Sequence, residues 1–126
     1  MNNRGSEMIK IISIETFCNE FVGFVRITDE TKAQGWGQVS TYHSDITCQI
    51  LHRQVAPWVL GVEFSDLDDL LDLVTEREHK FPGSYLRRAI GGFDTAVWDL
   101  WGNKRESPSL HFWVVSQASC APMALR

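Results

Sequence analysis

What these 126 residues lack narrows the field first. No apolar run approaches the ~20 residues of a membrane-spanning helix, and the N-terminus has no apolar segment of the signal-peptide kind. Lys and Arg do not cluster, and the formal net charge is −4, which disfavours nucleic acid or an anionic membrane as a partner. The 3 cysteines, Cys18, Cys48 and Cys120, are scattered and show no paired spacing. Neither a disulfide framework nor a zinc site is indicated, and reduced thiols in a cytoplasmic protein are expected. What remains is ordinary globular usage, 44% apolar and 22% charged, rather than the composition of a disordered tail. A single domain is expected, or a piece of a larger one.

Residues Met1–Glu7 are polar and irregular, and read as an extension outside the fold. From Ile9 to Phe17 the chain is β-branched and nearly alternating, the pattern of a strand. Phe21–Thr28 reads as a second strand, Asp29-Glu30-Thr31-Lys32 as a polar turn, and Ala33–Ser40 as a third strand. Connections this short favour an antiparallel meander over crossovers. The glycines flanking Trp36 suggest a bulge or a close approach of backbones.

After Ser40 the period changes to that of helices. Ser44 or Asp45 is expected to cap a first helix running to about Ala56, with Pro57 and Gly61 ending it. Ser65-Asp66 opens a second, with Leu67, Leu70, Leu71 and Val74 at helical spacing and an acidic first turn that suits the helix dipole. Glu76–Lys80 reads as a solvated helix end. Ser84 opens a third helix, with Leu86, Ala89, Ile90, Phe93, Ala96, Val97 and Leu100 on its buried face and Gly102 as its stop. Gly91-Gly92 in mid-helix costs about 1 kcal/mol per glycine relative to alanine, so something is expected to pack tightly against that backbone. The expected class is α+β: a three-stranded antiparallel meander followed by a three-helix bundle.

Lys10-Ile11 at the head of a strand, Gly35-Trp36-Gly37, and Arg88–Gly102 with Asp94 and Trp98-Asp99-Leu100 together resemble the N-terminal domain of the mandelate racemase/muconate lactonizing enzyme group of the enolase superfamily. The likeness covers Met8 to about Arg105. It implies a capping domain that partners a (β/α)8-type barrel. In such enzymes, magnesium in the barrel stabilises an enolate formed by abstracting the proton α to a carboxylate. The barrel supplies the bases and the metal ligands, so the resemblance gives residues 8–105 no catalytic or metal-ligating role. What it implies for them is a lid over a small carboxylate substrate, formed by the loops Cys18–Phe21 and Ser40–Ser44, with Glu20, Phe21, Tyr42 and His43 as substrate-contacting candidates. It further implies Mg2+ in the full-length enzyme and a homo-oligomer when the chain is complete.

From Glu106 the family pattern stops. Reading each codon one base early allows Gly-Lys-Pro-Val-x-x-Leu-Leu-Gly-Gly in register. The Phe112/Trp113 junction forces leucine, and Trp113/Val114 and Met123/Ala124 each force glycine. Residues 106–126 are therefore expected to be an aberrant, out-of-frame tail that follows the loss of one base near the codons for Lys104 to Glu106.

The remaining polar clusters read as structural. His43, His52 and His79 with Cys48 fit no ligand frame. Asp94 and Asp99 are five apart on one helix, do not face each other as an acid/base pair, and are expected to hydrogen-bond neighbouring backbone or a barrel partner. Lys80 and Tyr85 could flank an interdomain cleft. Two functions follow: the specificity cap of a racemase, cycloisomerase or sugar-acid dehydratase, inactive by itself, or a stand-alone binding module whose apolar tail Leu110–Val115 pairs with a partner. The polar loop Ser40–Ser44 suits a polyol better than an apolar lactone, which favours sugar-acid dehydration.

Overall fold

In the computed structural model the described residues are 8–105. The expectations for 1–7 and 106–126 lie outside them. Three strands, β1 (Ile9–Cys18), β2 (Gly23–Asp29) and β3 (Gln34–Val39), form the antiparallel meander. A two-residue strand, β4 (Glu63–Phe64), adds to the far side of β1 and gives the sheet order β3-β2-β1-β4. Two residues carry no alternation to read, and only the tertiary pairing of Ile9 with Phe64 makes them a strand.

A bulge in β1 lets one strand serve a curved core. The ladder to β2 slips between Ile11 and Ser13. Ile9 and Ile11 point inward before it, and Ile14, Thr16 and Cys18 share the inner face with Ile27, Val25 and Gly23 after it. Ile12, the extra residue, is 49% exposed.

The first helical stretch comprises α1 (Ser44–Ile50), a π-helical turn (Leu51–Val55) and α2 (Ala56–Val59). Neither Ser44 nor Asp45 is its cap. His43 holds that position in left-handed backbone, without a side-chain capping bond, and Ser44 is already helical. Nor does Pro57 end the helix. The Ala56 N–H reaches back five residues to the Leu51 carbonyl, widening the turn just before the proline ring, which in a regular α-helix collides with the carbonyl four residues earlier.

Helix α3 (Leu67–Arg77) begins as expected, with the Asp66 carboxylate accepting from the Asp68 N–H. Its end is not simply solvated: Glu78 accepts from Gln54 Nε2 at 2.7 Å and from Trp58 Nε1 at 2.6 Å, tying α3 to the first helical stretch.

Helix α4 (Ser84–Arg105) lies along β3 and buries Leu86, Ala89, Phe93, Ala96, Val97, Leu100 and Trp101. Gly35 and Gly37 let the two backbones touch: a Cβ on Gly35 would stand 2.6 Å from Leu100 N, and one on Gly37 2.8 Å from Ala96 N. Gly92 is tight against the side chain of Val39, whereas a Cβ on Gly91 would meet nothing. The helix runs through Gly102 rather than stopping there, because the next turn is anchored. Asn103 Nδ2 donates to Gln34 O at 2.8 Å, and Lys104 Nζ pairs with Asp29 at 2.8 Å.

Asp29 organises the β2–β3 turn. One carboxylate oxygen accepts from Thr31 N, Thr31 Oγ1 and Ala33 N, while the other takes Lys104. Burial alone would raise this carboxyl, but hydrogen bonds from Lys104 and Thr31 and the lysine charge outweigh it and hold it below its ordinary 3.8. Because the folded value is the lower one, the stabilisation is complete above the unfolded value and is lost as pH falls through the folded one. Lys104→Ala should cost about 1–2 kcal/mol at neutral pH. Urea unfolding should show that penalty shrinking as the carboxyl protonates in acid.

Candidate functional site

The two predicted lid loops meet at one end of the sheet. The loop after β1 is a tight turn: Asn19 N donates to Val22 O at 2.8 Å, and Asn19 Oδ1 accepts from the backbone N–H groups of Phe21 and Val22. The loop after β3 turns through Tyr42 (φ 70) and His43 (φ 60), adjacent non-glycine residues in left-handed backbone. That conformation costs roughly 1–2 kcal/mol per residue and persists only where its surroundings fix it. Here Ser44 Oγ donates to Ser40 O at 2.8 Å, and the Tyr42 and His43 rings meet tilted by 51°, 4.2 Å between centroids. The Ser44 N–H donates to Glu20 O at 3.2 Å and joins one loop to the other.

All four candidate contact residues are exposed around that junction. Phe21 is 58% and Tyr42 62% exposed, and Glu20 and His43 lie open beside them. Arg88 was not among the candidates. From the second turn of α4 its guanidinium donates to Tyr42 O at 3.4 Å and lies over the Tyr85 ring at 5.8 Å. Forty-six residues separate Arg88 from Tyr42, so no local pattern could have joined them.

Among the described residues the histidines do not gather. His52 Nε2 pairs with Thr16 Oγ1 at 2.9 Å, His79 Nδ1 with its own helix end at Glu76 O, and His43 stays in the loop after β3. Burial lowers the His52 pKa. Among the described residues, no three His, Cys, Asp or Glu side chains come together as a metal site. Asp99 takes a structural role, accepting from the Trp36 N–H at 2.8 Å on the open edge of β3. Asp94, in the groove between α3 and α4, is raised by burial and by the charge of Asp68, against a lowering bond from Trp98. Tyr85 lies under Arg88, and Lys80 is exposed in the loop before α4.

Comparison with known proteins agrees with this architecture. The family described as "Mandelate racemase / muconate lactonizing enzyme, N-terminal domain" matches residues 5–111. A D-galactonate dehydratase family member from Paenibacillus sp. (strain JDR-2) is 30% identical over 83 residues, which are 65% of this chain and 20% of that protein. A crystal structure from Roseobacter denitrificans superposes with a TM-score of 0.75 at 71% identity, over 76% of this chain and 26% of that one. A mandelate racemase/muconate lactonizing protein from Paracoccus denitrificans PD1222, complexed with magnesium, gives 0.69 at 31% identity, over 76% and 28%. The chain thus spans 20% to 28% of the length of these relatives. On its sequence and its fold, the chain belongs to the mandelate racemase/muconate lactonizing enzyme family, of which it carries the N-terminal domain.

Proposed function

We propose that residues 8–105 are the substrate-facing cap of a larger enzyme that abstracts the proton α to a carboxylate, with a sugar acid as substrate and dehydration as the reaction. The observation that carries this reading is the hydrogen bond from Ser44 N to Glu20 O, which gathers Glu20, Phe21, Tyr42 and His43 into one exposed rim. A rim of two aromatics, an imidazole and a carboxylate can cover a polyol while presenting hydrogen-bonding groups to its hydroxyls. Closing it would exclude water and strengthen each polar contact underneath. The relationship to a D-galactonate dehydratase family member supports a sugar acid, and the magnesium complex of the Paracoccus denitrificans protein supports a metal-dependent enzyme. The acid–base chemistry and any magnesium belong to residues beyond this cap, and the cap alone is inactive.

The test fuses residues 8–105 to the remainder of the Roseobacter denitrificans protein, in place of its own matching segment. In that fusion Tyr42→Ala and Glu20→Gln should each lower kcat/KM for the acid it turns over by roughly tenfold. Leu60→Ala, exposed at the opposite end of β1, should leave it unchanged. Lid variants as active as the parent fusion would remove the cap reading and leave a non-catalytic binding module.

A further inference from the structure

Cys18 closes β1 at the base of the first lid, and Cys48 lies one turn into α1, the helix that leaves the second. Thirty residues apart in sequence, they meet in space because of a glycine. Cys18 pairs across the ladder with Gly23, whose missing side chain leaves a hollow on the inner face of the sheet. Val39 Cγ2, Cys48 Sγ and Ser44 Cβ share it, 2.7, 3.1 and 3.2 Å from where a Cβ on Gly23 would stand. Directly paired residues hold their Cβ positions ~4.5–5.5 Å apart on the same face, so the Cys18 side chain opens onto the same hollow. The Cys18 thiol lies near enough to Cys48 to help raise its pKa. Both are free thiols, Cys18 half-buried and Cys48 only 2% exposed.

We propose that Cys18 and Cys48 form a modification site, at which a small disulfide of the glutathione class oxidises them to an intramolecular disulfide that ties the first lid to the helix behind the second. The half-buried thiol reacts first. Cys18 thiolate attacks one sulfur of oxidised glutathione, giving a mixed disulfide and one glutathione thiolate, which takes a proton from water. Cys48 then loses its proton to solvent base, and its sulfur attacks that of Cys18 and expels the second glutathione. Two protein thiols are oxidised, and one glutathione disulfide is reduced to two thiols. Burial, with the Cys18 thiol alongside, pushes Cys48 up to about 12; Asp45 on the same helix adds to this, and a hydrogen bond with Thr16 opposes it. His52, bonded to Thr16, is the other titratable neighbour. The second step is therefore the slow one at neutral pH and quickens as pH rises. Neither thiol is among the proposed substrate contacts, so the site stands whether or not the lids touch a substrate.

The experiment uses the full chain carrying Cys120→Ser, incubated with oxidised glutathione at neutral pH and at about pH 9, with intact-mass measurement and peptide mapping. The expected product is a monomer lighter by two hydrogen atoms with Cys18 joined to Cys48, preceded at neutral pH by a mixed disulfide on Cys18. Cys48→Ser should stop at that mixed disulfide. Closure should be roughly tenfold or more faster than in the urea-unfolded chain, since folding already places the thiols together. Alkylation mapping of the chain with its native Cys120 should find the same two cysteines protected after oxidation. A mixed disulfide that never resolves, a link between two chains, or closure no faster than in urea would overturn the proposal.

Discussion

Gly35→Ala should unfold this domain or come close to it, at a cost on the order of 3 kcal/mol or more. The added methyl would meet three atoms of α4: the carbonyl oxygen of Ala96, Leu100 N at 2.6 Å and Leu100 Cβ at 2.8 Å. None is the far end of a flexible side chain that could swing aside. Relief requires lifting α4 from β3, which also strains the Asp99–Trp36 and Asn103–Gln34 hydrogen bonds along that seam. Gly91→Ala is the matched control. It too adds one methyl on this seam's helix, but into open space, and it should stabilise by about 0.5–1 kcal/mol through helix propensity. Thermal unfolding followed by circular dichroism separates the two, and equal shifts of the same sign would contradict the packing described.

Asp99→Ala should cost about 2–3 kcal/mol, because the Trp36 N–H on the edge of the sheet loses a charged acceptor and is left part-buried. The same carboxylate oxygen holds Asn103 Nδ2 at 3.3 Å, so the anchor of Gln34 loosens with it. Asp94→Asn, one and a half turns earlier, should differ in sign or be neutral. Burial already disfavours the ionised form of Asp94, so its contribution grows as pH falls through its raised value, and removing the charge at neutral pH relieves that penalty. Hydrogen exchange at Trp36 gives the local readout: it should accelerate in the Asp99 variant and stay unchanged in the Asp94 variant.

The sequence made the meander, the close approach at Gly35-Trp36-Gly37 and the buried face of α4 legible, because each is carried by local alternation, helical spacing or a glycine with no other purpose. It misled where a distant contact overruled a local signal. Gly102 looks like a stop, yet Asn103 and Lys104 find Gln34 and Asp29 across the sheet and hold one more turn. Pro57 looks like a breaker, yet the π-helical turn ahead of it makes room. Gly91 and Gly92 look alike, but only Gly92 faces the strand. At the candidate site the loops could be read from their position between elements. Their junction through Ser44 and Glu20, the left-handed pair Tyr42-His43 and the support from Arg88 could not, since all three depend on how β1, β3 and α4 converge.

The most direct measurement is solvent-deuterium exchange α to the carboxylate in the unsubstituted fusion of residues 8–105 with the remainder of the Roseobacter denitrificans protein. With 71% identity to that protein over the matched residues, the surface that would meet the remainder of it should be largely shared. Exchange is expected on any carboxylic acid whose α-proton the Roseobacter denitrificans protein itself exchanges, within about tenfold of that protein's rate. A fusion that folds as its parent does, yet exchanges no α-proton on an acid whose α-proton the parent exchanges, would contradict the cap reading.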